Sequence, residues 1–535
     1  MRRRQLLGLG AASAALISLP SASWGRGSVS AGSASGKHHS TDRWSTDPFT
    51  LGVASGSPTS DSMVLWTRLG SEALAQTGRA HAHVPVAWQL AHDEQFTRIA
   101  QQGQLTATPE LGHSLHAEVS GLSPAREYFY RFIAGDVTSP TGRTRTFPAP
   151  DQAASRLRLA YASCQRWGDG FYSAYRDMRG QNLDVVIFLG DYIYEYPASP
   201  SRDVRVTTGG WVLTLDDYRA RYALHKSDPH LQAMHAACPW IVTWDDHEVQ
   251  NDYAELHAGF SGAPVPDFAA RRRSAYQAFY ENMPVRHADF AQLLKQQGDQ
   301  VTVFGSTQFG RLATLYNLDN RQYRHRQACT PGDRAGGGRI NPDQCALLNQ
   351  EYRTLLGEQQ EGWLKRQFER SQTHWNLIGQ QSLLGPRNMG GATPSVWNDG
   401  WGGYPAARQR LIDSIRTTRL KNPVVLGGDV HQNWVGRILS DYARPDSQTV
   451  GVEFCGTSIT SRNRATEAEL AKILQNSPYF LYANAEYRGY GVVDVQQHTL
   501  TTTLRAVKNI RDPNSEVFTL RKFGVDTGRP EVQTL

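Results

Sequence analysis

The sequence predicts an α/β fold preceded by a smaller all-β domain, and three observations support this. From about residue 155, short apolar runs alternate with amphipathic stretches of helical length, which is typical of a sheet covered by helices on both faces. Before residue 150, short alternating runs are separated by turn signals at the spacing of a β-sandwich. A chain of 535 residues also exceeds a single ordinary core, so at least two domains are expected.

The N-terminus has the pattern of a signal peptide. Residues 2–4 are arginines and precede an apolar, alanine-rich run that ends near Leu19. An arginine pair in this position indicates the twin-arginine export machinery, and an ordinary Sec signal with a basic start is the alternative. We therefore expect a signal peptide over residues 1–25 and a periplasmic or secreted protein. Residues 26–46, rich in Gly, Ser and His, are expected to be a flexible linker.

Charge and hydropathy exclude several classes of partner. The formal net charge is +6, and three of the arginines lie in the predicted signal peptide. This excess is too small to indicate nucleic acid as a stable partner. Beyond the signal, we find no apolar run that could span a bilayer and no amphipathic surface helix, so no stable membrane association is expected. The oligomeric state stays open.

Residues 47–150 are expected to form the N-terminal β-sandwich. Its strand candidates are residues 63–67, 84–90 and 127–132. The turn at residues 122–124 that leads into Tyr128 is similar to the tyrosine corner of fibronectin-type modules. No group of residues suited to catalysis is found here, so an accessory or shielding role is expected.

Residues 151–535 are expected to form the catalytic domain. Its strands are predicted at residues 157–163, 184–189, 240–244, 311–318, 375–379 and 423–427. Its helices are predicted at residues 171–179, 216–237, 268–281, 358–371, 406–420 and 467–475. Ligands of open α/β sheets bind outside the carboxyl ends of the strands, so polar residues directly after these strands are candidates for a site.

Four of the strands end in potential metal ligands. These are Cys164 after the first strand, Asp191 and Tyr194 after the second, Asp245, Asp246, His247 and Glu248 after the third, and Asp429 and His431 after the last. A Gly-Asp pair after one strand is also a common turn. Thiolate, carboxylate, phenolate and imidazole at four separate strand ends are hard to explain as turns, so the sequence predicts a polynuclear metal site.

The donor types divide by softness. Thiolate, phenolate and imidazole favour a transition metal such as iron, whereas several carboxylates favour calcium, magnesium or manganese. A mixed site is therefore expected. Asp191 is the candidate bridge between unlike metals, because it has two oxygens and lies close to Tyr194 in sequence.

The five cysteines have different expected roles. Cys329 and Cys345 flank a Gly-rich polar loop and are the best candidates for a disulfide. Cys238 and Cys455 lie in apolar runs and are expected to be buried thiols. Cys164 is expected to bind metal, and a buried structural thiol is the alternative.

These motifs together resemble the alkaline phosphatase D (PhoD-like) family of metallophosphoesterases. The resemblance rests on residues 163–165, 190–195, 244–249 and 427–431 and extends from about Asp47 to near the C-terminus. It implies a four-layer α-β-β-α metallophosphoesterase sandwich, similar to that of purple acid phosphatases, that holds Fe³⁺ and Ca²⁺. The implied ligands are Cys164, Asp191, Tyr194 and His431 for iron, Asp191, Asp245, Asp246 and Asp429 for calcium, and Asn484 as a further candidate.

The expected activity is hydrolysis of small-molecule phosphate esters through in-line attack by a metal-activated hydroxide. The chain would then be a phosphodiesterase or phosphomonoesterase with Asp191 and His247 as catalytic residues. His247 is expected to contact the phosphoryl group or protonate the leaving alkoxide, and orienting a carboxylate is its alternative role. Arg321 is expected to bind phosphate, or else to form a buried ion pair with Asp319 or another carboxylate.

Three alternatives remain open. A phospholipase D-like hydrolysis of phospholipid head groups at the same metal site is the first. A non-catalytic secreted binding protein is the second, and it would be expected to lack some of the ligands. The third concerns Trp397, Trp401 and Tyr404, which are expected either to line the leaving-group pocket or to pack beneath a long loop.

Overall fold

Two large β-sheets form the centre of the protein in a computed structural model that describes residues 43–260 and 265–535. The predicted signal peptide and most of the predicted linker lie outside these ranges. Parallel strands alternate with helices between residues 156 and 427, so the α/β class predicted from the sequence is confirmed.

The described strands are numbered in chain order. The strands before residue 150 are β1 (Val53–Gly56), β2 (Met63–Arg68), β3 (Val84–Ala91), β4 (Ile99–Ala107), β5 (Ser114–Val119), β6 (Glu127–Ala134), β7 (Val137–Thr138) and β8 (Gly142–Arg145). The later strands are β9 (Arg156–Ala162), β10 (Val185–Phe188), β11 (Trp240–Val242), β12 (Gly305–Phe309), β13 (Ala313–Asn317), β14 (Arg339–Ile340), β15 (Trp375–Gly379), β16 (Val396–Trp397), β17 (Pro423–Gly427), β18 (Asn433–Leu439), β19 (Thr449–Cys455), β20 (Phe480–Asn484), β21 (Arg488–Gln496), β22 (Thr499–Val507), β23 (Val517–Asp526) and β24 (Arg529–Thr534).

The described helices are α1 (Ser71–Gln76), α2 (Ser173–Arg179), α3 (Leu215–Lys226), α4 (Pro229–His235), α5 (Phe268–Asn282), α6 (His287–Leu294), α7 (Glu358–Arg370), α8 (Pro405–Thr417) and α9 (Glu467–Asn476). The single helix predicted at residues 216–237 is wrong, because the chain breaks between α3 and α4. Pro229 has no N–H to continue the helix, and the Asp228 carboxylate accepts hydrogen bonds from the next two N–H groups at 2.9 and 3.1 Å.

The first sheet has ten strands in the order β24-β23-β22-β21-β9-β10-β11-β1-β2-β5, and the second has seven in the order β12-β13-β15-β17-β19-β18-β20. Strands β9, β10 and β11 are mutually parallel, as are β13, β15, β17 and β19. Within each parallel set, the carboxyl ends therefore lie at one edge of the sheet. The six strands predicted for the catalytic domain agree with β9, β10, β11, β13, β15 and β17 to within two residues at each end.

Buried side chains occupy both faces of each sheet. Leu159 and Ile187 of the first sheet share one apolar core with Leu377 and Leu426 of the second. The other face of the first sheet packs on α2, α3, α4 and α5, and the other face of the second packs on α7 and α8. Burial on both faces explains why these strands are continuous apolar runs rather than alternating ones.

The N-terminal strands belong to two sheets. Strands β3, β4, β6, β7 and β8 form a separate five-stranded sheet, whereas β1, β2 and β5 extend the ten-stranded sheet through the parallel pairing of Gly56 with Trp240. The Tyr128 hydroxyl accepts a hydrogen bond from the Ser123 N–H at 3.0 Å, the contact expected of a tyrosine corner. Because one sheet crosses the predicted domain boundary at residue 150, that boundary stays a prediction.

The predicted disulfide and the two buried thiols predicted in apolar runs are confirmed, whereas metal binding by Cys164 stays a prediction. Cys329 and Cys345 form a disulfide, and Cys164, Cys238 and Cys455 are buried thiols. None of the helices in the described part of the chain has the length and apolar character needed to cross a bilayer.

A buried lysine links the N-terminal strands to the loop after β10. The Lys226 ammonium lies 4.1 Å from the centre of the Trp66 ring and 5.4 Å from that of Tyr192, and the residue is 1% exposed. No carboxylate of residues 43–260 or 265–535 forms an ion pair with it. Burial, with a smaller contribution from Arg68, lowers the pKa of Lys226 from 10.5 to about 7.

We expect Lys226→Met to raise the melting temperature by a few degrees at pH 7, and by less at alkaline pH. Between pH 7 and 10.5 the unfolded chain binds a proton that the folded chain does not, so wild-type stability rises with pH across this window. Methionine removes this dependence. Thermal unfolding at pH 7 and at about pH 9.5 checks the prediction, with the exposed Lys421→Met as control. Equal pH dependence of Lys226→Met and wild type would contradict it.

Candidate metal centre

The backbone is in the left-handed region at four of the predicted ligands. The φ angles are 59° at Cys164, 59° at Asp191, 64° at Asp429 and 55° at His431. These residues follow β9, β10 and β17, and few non-glycine residues adopt this conformation. Sparsely populated backbone conformations of this kind cluster at active sites, where the surrounding structure holds them in place.

The side chains predicted to bind iron converge on one point. Ligand atoms of Cys164, Asp191 and His431 lie within 4.8 Å of one another. The Tyr194 hydroxyl lies 2.9 Å from Asp191 Oδ2 and 3.4 Å from His431 Nε2. His431 Nδ1 lies 2.9 Å from the Arg462 carbonyl oxygen, which leaves Nε2 facing the other three donors.

A second group of donors shares Asp191. Ligand atoms of Asp191, Asp246 and His247 also lie within 4.8 Å of one another. Asp245 Oδ2 and Asp246 Oδ1 are buried and have no hydrogen-bond partner among the described residues. Buried carboxylate oxygens without partners are costly, so these two atoms fit a bound cation.

Glu248 joins the strand ends that carry these donors. Its buried carboxylate accepts hydrogen bonds from the N–H groups of Asp191, Tyr192 and Asp245 at 3.1, 2.6 and 2.8 Å. Two of these donors follow β10 and the third follows β11. The Glu248 side chain therefore fixes the spacing between the two loops rather than pointing an oxygen at the metal site.

Arg321 lies among the carboxylates and is 1% exposed. Its Nε contacts Asp245 Oδ1 at 2.5 Å, and its terminal nitrogens contact both Asp399 oxygens at 2.8 and 2.9 Å. Asp246 Oδ2 lies 3.6 Å from Nη2. The structure therefore shows the ion-pair alternative for Arg321, and the carboxylates involved are these rather than Asp319, which accepts from the Arg321 backbone N–H.

His247 lies between the metal ligands and two tyrosine rings. Its Nδ1 is 2.7 Å from Glu195 Oε2, and its ring centre is 4.1 Å from that of Tyr194 and 5.1 Å from that of Tyr196. Burial opposes the charged form of His247, but the carboxylates of Glu195, Asp246 and Asp191 raise its pKa well above the ordinary value. The Nδ1 contact with Glu195 therefore favours a protonated imidazole.

Comparison with known proteins agrees with this geometry. Residues 159–504 match the model of the PhoD-like phosphatase family, and residues 32–148 match that of the PhoD-like phosphatase N-terminal domain. The chain belongs to the PhoD-like phosphatase family. It is 41% identical over 488 residues to alkaline phosphatase D of Bacillus subtilis (strain 168), which covers 90% of this chain and 81% of that protein. A solved structure of PhoD superposes with a TM-score of 0.86 at 39% identity, covering 92% of this chain and 93% of the other. The protein is therefore a phosphoric ester hydrolase.

Negative charge dominates the PhoD-like site. Burial, together with neighbouring carboxylates, raises the pKa of Asp191 and of Asp429 well above the ordinary value. Burial also raises the pKa of the Cys164 thiol and of the Tyr194 phenol. Metal ligands bind in their deprotonated form, and a cation reverses these shifts. The donor set therefore fits bound metal ions.

Two carboxylates of the site were not expected from the sequence. Ligand atoms of Asp246, Asp252 and Asp399 form a third group within 4.8 Å of one another, and the Asp252 N–H donates to Asp246 Oδ2 at 2.6 Å. Burial and the charges of Asp399 and Asp246 raise the pKa of Asp252 to about 7. Asp252 lies in the same loop as Asp246, and this proximity in sequence could have identified it as a further carboxylate of the site. Asp399 lies in a glycine-rich loop with no recognisable pattern.

The remaining predicted residues lie around this centre. Asn484 ends β20, and its amide contacts Glu467 Oε1 at 3.5 Å and the Tyr487 N–H at 3.4 Å. Neither of these is a candidate ligand, so metal binding by Asn484 stays a prediction. Trp401 and Tyr404 are fully buried and pack in a core with α7 and α8, whereas Trp397 is half-buried and lines a small cavity that Asp429 also lines.

We expect Arg321→Gln to lower the melting temperature of the metal-free protein strongly. The substitution leaves the buried Asp245 carboxylate without its cation and leaves Asp399 paired with Arg324 alone, and removing one partner of a buried ion pair costs about 3–5 kcal/mol. Thermal unfolding in the presence of a chelator checks this, and the exposed Arg419→Gln serves as control. If Arg321→Gln and wild type have the same melting temperature, the ion pairs of Arg321 are not needed for stability.

Proposed function

We propose that the protein hydrolyses phosphate esters at this centre with Fe³⁺ and Ca²⁺ as cofactors. The proposal rests on one observation. Two buried carboxylate oxygens, Asp245 Oδ2 and Asp246 Oδ1, have no hydrogen-bond partner among the described residues, and Asp191 lies between a group of soft donors and a group of carboxylates. Cys164, Tyr194 and His431 would hold iron. Asp245, Asp246 and Asp429 would hold calcium, with Asp191 between the two metals.

The residues of the chain have separate tasks in the proposed hydrolysis. Bound metal ions would supply a nucleophile near neutral pH and offset the charge that develops on the phosphoryl oxygens. His247, held through Nδ1 by Glu195, would carry a proton and give it to the leaving oxygen. Arg321 offsets carboxylate charge and leaves phosphate binding to other groups.

A second candidate substrate class has one observation in its favour. Val206, Trp211 and Leu213 are 80%, 36% and 43% exposed on one segment of chain. The Trp211 ring lies 5.5 Å from the Tyr196 ring, which in turn lies 5.1 Å from that of His247. An exposed apolar segment next to the candidate acid suits an amphiphilic ester, so phospholipid head groups are the second candidate.

The remaining parts of the proposal rest on sequence pattern and packing. Export through the twin-arginine route, and hence a periplasmic or secreted location, rests on residues 2–4 and the apolar run that follows them. A four-layer metallophosphoesterase sandwich is supported by the two sheets that share one core and carry helices on their outer faces. The five-stranded sheet and β1, β2 and β5, which share one core, support an N-terminal β-sandwich domain.

We expect Asp246→Asn to lose bound calcium and at least about 100-fold in kcat, because a neutral amide removes one negative ligand from a site that depends on charge. Elemental analysis and hydrolysis of bis-(p-nitrophenyl) phosphate check this, with the exposed Asp446→Asn as control. Iron held by thiolate and phenolate would also give the purified protein a visible colour. Unchanged activity after chelation would contradict the proposal, because hydrolysis would then not depend on bound metal ions.

We expect bis-(p-nitrophenyl) phosphate to be hydrolysed faster than phosphatidylcholine in mixed micelles. The buried, highly charged centre favours a compact anionic ester, and the exposed apolar segment is small. Comparing kcat/KM for the two substrates in wild type and Trp211→Ser checks this. A faster reaction on the phospholipid that Trp211→Ser abolishes would replace the first candidate by the second.

A further inference from the structure

Arg387 is a cation at the mouth of the site whose charge is not paired. The residue is half-buried and lines a small cavity together with Asp429, Val430 and Trp397. Its Nη1 donates to Gln432 Oε1 at 3.3 Å, and no carboxylate of the described residues forms an ion pair with it. A guanidinium has five N–H donors, so most of its donors remain available.

The backbone that carries Arg387 is held firmly on both sides. The buried Glu453 carboxylate accepts hydrogen bonds from the N–H groups of Leu384 and Gly385 at 2.5 and 2.9 Å. On the other side, the Asn388 N–H donates to Ser477 Oγ at 3.1 Å, and the Tyr479 hydroxyl donates to the Pro386 carbonyl. Arg387 is therefore presented on a fixed turn, which is how a preorganised binding group is built.

The side chain is also oriented from the metal loop. Gln432, which accepts from Arg387, follows the candidate ligand His431 directly and also accepts from Trp434 Nε1 at 2.9 Å. The guanidinium lies 5.8 Å from the centre of the Trp434 ring. These contacts fix Arg387 beside the ligand loop without neutralising its charge.

Partial burial disfavours a cation that forms no ion pair, and a bound anion offsets this cost. Asp429, the carboxylate that lines the same cavity, is a proposed calcium ligand. Arg321 and Arg324 cannot serve this purpose, because carboxylates of the protein already contact both guanidinium groups. Phosphate esters are the anions that this hydrolase must bind, and a guanidinium matches the phosphate oxygens with two parallel hydrogen bonds. We propose that Arg387 binds the phosphate group of the ester undergoing hydrolysis.

This proposal rests on the proposed placement of catalysis at the metal centre. It assigns Arg387 to the phosphoryl group itself, so monoesters, diesters and inorganic phosphate should all depend on it. An arginine that recognised a second anionic group elsewhere on the ester would affect only the substrates that carry one.

The test compares Arg387→Gln, Arg387→Lys, the control Arg419→Gln and Asp246→Asn as metal-loaded, full-length proteins. The measurements are iron and calcium content, kcat and KM for p-nitrophenyl phosphate and bis-(p-nitrophenyl) phosphate, and the inhibition constant of inorganic phosphate. We expect Arg387→Gln to keep its metals and to raise both KM values and the phosphate inhibition constant about 10- to 100-fold. Arg387→Lys should recover part of this loss because it keeps the charge, and Arg419→Gln should match wild type.

The outcomes separate the two proposals. Normal phosphate inhibition and KM in Arg387→Gln, while Asp246→Asn is inactive, would overturn the role of Arg387 and leave the metal centre in place. Full activity of Asp246→Asn would overturn the metal centre itself. A loss of metal in Arg387→Gln that Arg387→Lys does not repair would show a structural role and equally overturn phosphate binding.

Discussion

The excess of buried carboxylates over buried cations is the constraint on which this site and its surroundings depend. Carboxylates from strand ends in both sheets lie near one another: ligand atoms of Asp191 and Asp246 lie within 4.8 Å of each other, and the charges of Asp245 and Asp246 help to raise the pKa of Asp429. Arg321 contacts only part of this group. Like charges in a desolvated site repel, so the arrangement requires protons or bound cations among them. The chemistry of the centre therefore follows from a charge imbalance that the fold itself creates.

Buried charged side chains hold the backbone of the loops that carry these carboxylates. Glu248 holds three N–H groups from two loops, although it adds another buried carboxylate. Arg221 is a cation that binds carbonyl groups instead of N–H groups. Its guanidinium donates to the carbonyls of Tyr194 and Tyr196 and to two carbonyls of the segment that precedes Trp211. Glu248 and Arg221 thus both bind backbone groups of these loops. The hydrogen bond from the Asp191 N–H to Glu248 helps to hold Asp191 in its left-handed conformation.

The sequence predicted the parts of the protein that depend on local pattern. Apolar runs located the parallel strands, and the polar residues after them located the donors, because strand ends and loop starts are adjacent in the chain. Contacts between distant segments were beyond this reasoning. Asp399 meets Arg321 across 78 residues, and Gly56 pairs with Trp240, so neither the ion pair nor the extended sheet has a local signal. The helix break at Pro229 did have one, since proline cannot donate the required hydrogen bond.

The two arginines near the centre illustrate why residue type alone does not assign a role. Arg321 follows a strand and was a natural choice for phosphate binding, yet its donors are used by carboxylates of the protein. Arg387 follows no strand directly, but its turn is fixed by Glu453, and it forms no ion pair with a carboxylate of the described residues. A site that binds an anionic substrate needs both kinds of cation. One reduces the repulsion among the ligands before substrate arrives, and the other keeps its hydrogen bonds for the substrate.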